Sequence, residues 1–263
     1  MLERQRQQQI LEYLDIKQFA SISELCQLLG ISEATIRRDI TKLAADGRAT
    51  KIRGGVQSLA GYPNSRTGID GAAFHAAKEQ HVTAKRLIAK RAVELCEDGE
   101  SIIINGGSST FMMGDFLASR RLNILTNSFY LAQELVANSE NQVSLPGGEI
   151  YRRQGIVLSA FENDATQHYH GSKMFMGTPG IGEFGVMESD PLLIRTEQKL
   201  RRQADQLIIL ADSSKIGQRS NFIFETLENV DVLITDTGIS DRHLKLFSES
   251  GIEVICVDVE IAD

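Results

Sequence analysis

From residue 101 onward the chain alternates short apolar runs with helical patterns, and no other feature limits its fold as strongly. The runs fall at 101–104, 122–125, 142–145, 155–158, 173–176, 207–211, 231–234 and 252–257. Several are apolar on consecutive residues, as in Ile102-Ile103-Ile104 and Leu207-Ile208-Ile209-Leu210, where a strand with one wet face would alternate. A strand apolar on both sides must be covered on both sides. Helical patterns at 109–118, 128–137, 191–204 and 241–249 supply the cover, the third opened by Asp190 as cap and Pro191 in the first turn. These features predict an α/β domain with a mostly parallel sheet.

Ligands of open α/β sheets bind beyond the carboxyl ends of the strands. The residues at those ends are polar here. Asn105-Gly106-Gly107-Ser108-Ser109-Thr110 leads from the first run into a helix. Other runs are followed by Thr126-Asn127-Ser128, Pro146-Gly147-Gly148, Gly177-Thr178-Pro179-Gly180 and Asp212-Ser213-Ser214-Lys215. Glycines let backbone amides approach an anion, hydroxyls add donors, and a helix N-terminus favours negative charge, so the first turn suits a phosphate. One such turn is most often an ordinary connection. Five of them argue for a pocket that holds a polar ligand. GxxxxGK[ST] and a clean GxGxxG are both absent, which counts against ATP and dinucleotides. Arg152-Arg153 and Lys173 either join this pocket or are solvated. His168 and His170 would share one face of a strand, yet no carboxylate or thiol at ligand spacing supports a metal.

The N-terminal stretch has a different character. Ser21 with Glu24 three residues on is a capping-box start, and Ile22, Leu25, Leu28 and Leu29 then recur at helical spacing. Gly30 stops that helix, and Ser32 can cap the next, in which Ile36, Ile40 and Leu43 share a stripe. At about 100° per residue, Ala34, Thr35, Arg38 and Lys42 project from the other side. Alanine can touch a thymine methyl, a hydroxyl can reach phosphate or a base edge, and arginine can pair with guanine. Gly47 ends the helix, and Lys51 and Arg53 then flank Gly54-Gly55 in a small β-wing. The plainer alternative is a helical hairpin with a solvated basic face. A further helix is expected from about Glu3 to Asp15, with Ile10, Leu11 and Leu14 inward.

The net charge of −7 looks unsuited to nucleic acid until it is divided. Residues 1–57 hold nine Lys/Arg against seven Asp/Glu, a net of +2, and the remainder holds 19 against 28, a net of −9. A mildly basic module ahead of an acidic one fits a polyanionic partner for the first alone. A length of 263 residues suits two domains. Ser58–Gly71, rich in Gly, Pro, Asn and Ser, divides them, which gives 1–57, a linker at 58–74 and 75–263. A helical pattern over 72–95 opens the second domain as one long helix or two. Cys26, Cys96 and Cys256 are far apart in apolar contexts, as for thiols in a reducing compartment. No apolar run approaches the ~18 residues needed to cross a bilayer, so a cytoplasmic protein without a membrane partner is expected.

The pieces RQQQIL, SELCQLLGIS, TIRRDITKL, DGR and KIRGGV resemble the N-terminal winged helix of the DeoR family of bacterial transcriptional regulators. The resemblance implies operator DNA as partner, with Thr35, Arg37 and Arg38 on the reading helix. Ala49-Thr50-Lys51 replaces the family's usual hydrophobic-and-Arg lead into the wing, which leaves the wing contacts less defined. Residues 75–258 resemble the family's effector domain, whose fold is shared with ribose-5-phosphate isomerase and coenzyme A transferases. That implies a sugar-phosphate effector and no cofactor, with the phosphate on Gly107, Ser108, Ser109 and Thr110. Around it the resemblance places Asn105, Thr126, Asn127, Gly147, Gly148, Glu197, Lys199, Asp212 and Lys215. Many members carry Asp where Asn105 stands. INGGSSTF, RTEQKL and DSSKIGQRSNFIF are similar to the branch that regulates L-ascorbate utilisation.

Two functions from different classes follow. One is a repressor of a carbohydrate operon, dimeric or tetrameric because operator half-sites usually demand at least two copies. The other is a sugar-phosphate isomerase or transferase fused to a DNA-binding module, with Glu197, Lys199, Asp212 and Lys215 moving protons. A groove-reading helix serves no isomerase and weighs toward the first.

Overall fold

In a computed structural model, which describes residues 3–17, 19–52, 54–58, 72–159 and 163–259, the chain divides into two compact units, Met1–Gly68 and Ile69–Asp263. The first contains α1 (Glu3–Lys17), β1 (Phe19–Ser21), α2 (Ile22–Leu29), α3 (Glu33–Ala45), β2 (Ala49–Ile52) and β3 (Gly55–Ser58). The strands form an antiparallel sheet in the order β1-β3-β2. Both halves of the predicted capping box form at Ser21 and Glu24, and Gly30 adopts a left-handed φ of 64°. Ile10, Leu14, Leu25, Ile36, Ile40 and Leu43 make one core. Leu28 does not join it and is 52% exposed, because around the helix it lies about 60° beyond Leu25 and about 120° from Ile22. A buried ion pair ties α1 to α3: Arg6 Nε donates to Asp39 Oδ2 at 2.8 Å and Nη2 to Oδ1 at 3.1 Å. Of the predicted linker, residues 59–71 lie outside the described residues.

The second unit opens with two helices, α4 (Ala72–Lys78) and α5 (Val82–Glu94), rather than one. The break falls at His81, whose φ of 51° no regular helix allows. Next come β4 (Ser101–Ile104), α6 (Ser108–Phe111), α7 (Gly114–Leu117), β5 (Asn123–Thr126), α8 (Phe129–Asn138) and β6 (Gln142–Ser144). The hairpin β7 (Glu149–Tyr151) and β8 (Ile156–Leu158) precedes β9 (Gly171–Gly177), β10 (Gly180–Gly182), β11 (Gly185–Glu188) and α9 (Pro191–Arg201). The chain then runs through β12 (Ala204–Leu210), β13 (Phe222–Glu225), β14 (Val232–Asp236), α10 (Asp241–Glu249) and β15 (Glu253–Val257).

Seven strands make one sheet in the order β15-β14-β12-β9-β4-β5-β6, every pair parallel. The consecutive apolar residues divide between its two faces as expected. Ile102, Ile104 and Phe175 enter one core with α5 and α8, whereas Ile103, Met174 and Met176 enter the other with α9 and α10. Chain order runs outward from β4 through β5 to β6 and then returns to β9 on the other side of β4. The switch point therefore lies between β4 and β9, and open α/β sheets bind ligands at the carboxyl ends beside such a point.

Several expectations are corrected. Residues 155–158 form no strand of the large sheet; they pair with β7 in the hairpin, anchored where Val157 N donates to the Asn127 carbonyl at 2.7 Å. The helix expected over 109–118 is two short ones, α6 and α7. The helix expected to reach 204 stops at Arg201, since Ala204 already pairs with Gly171 as a strand residue. Gly177-Thr178-Pro179-Gly180 leads into β10 of a small antiparallel sheet, β10-β11-β13.

Candidate functional sites

In the first unit, α3 buries Ile36, Ile40 and Leu43 and exposes Ala34, Arg37, Arg38 and Lys42, with Thr35 half-buried. Arg38 makes no hydrogen bond or ion pair among the described residues. Arg37 does: its Nη2 lies 2.5 Å from Glu33 Oε1, an exposed pair that the field of a phosphate would readily exchange. Ser32 sits at the cap position but gives no side-chain cap bond. Its Oγ lies 3.0 Å from Thr35 Oγ1, so the two hydroxyls present a joint polar edge at the start of the helix. Lys51 on β2 donates to Thr41 Oγ1 at 3.0 Å, which sets the ammonium beside the end of α3. Arg53 lies outside the described residues. Neutralising Lys51 by Lys51→Gln should weaken binding to all DNA sequences alike and lower the slope of log K against log salt by about one unit. An unchanged slope would detach this strand from the DNA.

In the second unit, the strand ends bring most of the predicted residues together. Asn105, ending β4, bridges the switch point: its Oδ1 accepts from Gly177 N at 2.9 Å and its Nδ2 donates to Gly177 O at 3.2 Å. The same Nδ2 donates to Glu197 Oε1 on α9 at 2.7 Å. Thr126 and Asn127 end β5, and Asp212 follows β12, where its Oδ1 caps the next turn by accepting from Ser214 N at 3.1 Å. Gly107 opens α6, and Ser108 is half-buried while Ser109 is buried.

Three side chains here have buried polar atoms with no hydrogen-bond partner among the described residues: both amide atoms of Asn127, Glu197 Oε2 and Asp212 Oδ2. Each residue is at most 1% exposed. Buried polar groups are nearly always satisfied, so these unpartnered atoms leave hydrogen-bonding capacity unused at the strand ends. Burial pushes the Glu197 carboxyl well above the ordinary carboxylate range, the neighbouring Glu188 adds to the rise, and the Asn105 amide only partly opposes it. With Oε1 accepting from Asn105, a proton held by this carboxyl would sit on Oε2 and make it a donor there.

That shift has a measurable consequence. Below the ordinary value of 4.5 folded and unfolded chains both hold the proton. As pH rises above it, the unfolded chain ionises first and stability is lost until the raised folded value is passed. Glu197→Gln removes the loss. The variant should melt a few degrees above the parent at pH 7.5, with the gain shrinking to nothing near pH 4. A gain independent of pH would contradict a protonated Glu197.

Other predicted residues have different duties. The Thr110 hydroxyl is used inside the turn, where it accepts from Gly107 N at 3.0 Å and lies 2.9 Å from the Asn105 carbonyl. Lys199 points away from Glu197, its Nζ 2.9 Å from Asp164 Oδ2, a pairing that helps hold the Asp164 carboxyl down to about 2. Two positions along a helix turn a side chain by about 200°, so Glu197 and Lys199 cannot face one site. Gly147 and Gly148 are exposed. A Cβ on Gly148 would stand 2.2 Å from the Leu158 carbonyl oxygen, so this glycine serves closure of the hairpin. Lys173 pairs with Glu100 at the opposite end of the sheet. His170 stands 3.3 Å from Asp205, His168 ends a 3-10 turn, and among the described residues no group of three His, Cys, Asp or Glu is placed to hold a metal. Lys215 is half-buried beside Asp212.

One residue of this neighbourhood was not singled out by sequence. Lys85 on α5 is only 2% exposed, and its Nζ donates to the Ala77 carbonyl at 2.5 Å. Burial lowers its pKa, Asp212 opposes that shift and Lys215 reinforces it, which places all three in one electrostatic neighbourhood.

The comparisons with known proteins agree with this two-part layout. A DeoR-like helix-turn-helix domain matches residues 6–60 and the DeoR C-terminal sensor domain matches residues 80–237. The chain belongs to the DeoR family. It is a DNA-binding transcriptional regulator, not an enzyme, and its second unit is the family's sensor domain. The HTH-type transcriptional regulators UlaR of Shigella dysenteriae and Escherichia coli are each 33% identical to it over 257 residues, 98% of this chain and all of theirs. Among solved structures, ribose 5-phosphate isomerase A of Methanocaldococcus jannaschii matches half of the chain and 53% of its own length, at 17% identity and a TM-score of 0.38. Among the described residues no helix is long and apolar enough to cross a membrane.

Proposed function

We propose that this DeoR-family regulator is a repressor of a carbohydrate-utilisation operon whose operator affinity changes when a phosphorylated sugar or sugar acid occupies the crevice between β4 and β9. The observation that carries this is the set of orphaned buried groups on Asn127, Glu197 and Asp212 beside the Gly107-Ser108-Ser109 turn. A polyol phosphate matches both parts. Its hydroxyls both donate and accept, as an amide, a protonated carboxyl and a carboxylate require, and its phosphate suits a glycine-serine turn. The protein acts in the cytoplasm, as a homo-oligomer, because paired operator half-sites call for paired reading helices.

Calorimetric titration of the full chain with ribose 5-phosphate, glucose 6-phosphate and 6-phosphogluconate tests the proposal. Saturable binding of at least one, one molecule per chain, with the ligand recovered unchanged, is the expected result. Binding of none, or conversion to an isomer, would contradict it.

A further inference from the structure

Lys85 presents an unusual balance of contacts. Its ammonium has three N–H donors, and the one bond it makes among the described residues goes to a neutral carbonyl, that of Ala77 in the last turn of α4. Asp212, in the same electrostatic neighbourhood, keeps Oδ2 buried and unpartnered, yet the two do not form an ion pair. α5 packs on α6 and β12 and leads into β4 from the sheet's other end, so its first turn lies at the carboxyl ends of the strands with Asp212, where an effector oxygen could accept from the ammonium and donate to the carboxylate.

What Lys85 holds instead is α4, the first described element after residues 59–71, which run from the DNA-binding unit. The joint from α4 to α5 is strained, since His81 has a φ of 51° without being glycine. Beyond the Lys85 bond, α4 rests on the site's own turn. Phe74 stacks on Tyr130 at 4.8 Å and meets Phe111 of α6 edge-on at 5.3 Å, and Lys78 Nζ lies 4.4 Å over the Phe111 ring. α4 is thus anchored by Lys85, by Tyr130 of α8 and by α6, the helix opened by the Gly107-Ser108-Ser109 turn.

We infer that Lys85 is the clasp of the sensor: in the empty domain it fixes the end of α4 through the Ala77 carbonyl, and on occupancy it exchanges that bond for an effector oxygen shared with Asp212, which frees α4 to move. The inference rests on the crevice being the effector site. It adds the residue that reports occupancy and the helix that receives the report.

Hydrogen–deuterium exchange of the full chain tests it. Peptides covering 72–81 should exchange faster in Lys85→Met than in the parent without any ligand, because methionine fills the same space and donates nothing. The parent should show the same acceleration when saturated with whichever of ribose 5-phosphate, glucose 6-phosphate or 6-phosphogluconate it binds, a measurement that needs no substitution. Loss of the charged donor should also weaken that ligand about 10- to 100-fold. Asp212→Asn should weaken the ligand while leaving the exchange of 72–81 in the empty protein unaltered. Unchanged exchange in Lys85→Met, or equal acceleration in Asp212→Asn, would overturn the clasp. If none of the three sugar phosphates binds the parent, the proposed effector class is wrong, and the comparison of empty proteins still decides the role of Lys85.

Discussion

Replacing Arg38 with alanine is expected to weaken operator binding by about 1–3 kcal/mol and to relax sequence preference at a single base position. The expectation starts from the helix. Ile36, Ile40 and Leu43 face inward, so Arg38 must face out, and there it is exposed and free of partners among the described residues. A guanidinium with no intramolecular bond gives up no protein partner when it pairs with a guanine edge. Arg37 differs, because its side chain already spans to Glu33 and can turn to a phosphate only by leaving it. Arg37→Ala should therefore cost less and act on all sequences alike. Competitive gel shifts with operator variants separate the two. An Arg38→Ala protein that keeps the parent's preference at every position would remove that residue from base reading.

Ser109→Asp is expected to reduce sugar-phosphate affinity by more than about 100-fold, which by affinity arithmetic is at least about 2.7 kcal/mol. Ser109 is buried in the first turn of α6, behind Gly107, and the substitution sets a fixed negative charge where the phosphate is proposed to lie. The turn itself tolerates the change, since a carboxylate in the first turn of a helix is favourable. Repulsion of a dianion is not tolerated. Calorimetry with the sugar phosphate bound by the parent provides the comparison, and operator affinity of the variant should read the same with and without that ligand. Retained affinity for the ligand would remove the turn from the site.

How far the sequence could be read depended on whether each segment's burial left a mark on its own residues. β4 and α10 begin and end where the pattern places them, because a strand covered on both faces and a helix with one wet face write unambiguous periods. The small sheet β10-β11-β13 left little mark: Gly180-Ile181-Gly182 carries one side chain of any size, and Phe222 and Ile223 are partly exposed. β12 starts three residues earlier than its apolar run, since Asp205 and Gln206 are exposed while their backbone is paired. Residues that end strands gather at one end of the sheet because strand direction fixes where they lie. On a helix, nearness in sequence does not fix the face, and Lys199 turns to Asp164 while Glu197 turns to Asn105. Lys85 escaped notice for a related reason: a lysine within a helical pattern reads as solvated, whereas here it is buried and bonded to the Ala77 carbonyl of α4.

The most direct test of the whole account couples both units. Operator DNA selected from a random library by the full chain is titrated by fluorescence anisotropy, first alone and then with saturating amounts of the sugar phosphate that binds. The account predicts that operator affinity falls at least about fivefold, the lower end of ordinary allosteric coupling, and that the ligand is recovered unconverted. Operator affinity that stays the same while the crevice is filled would contradict it.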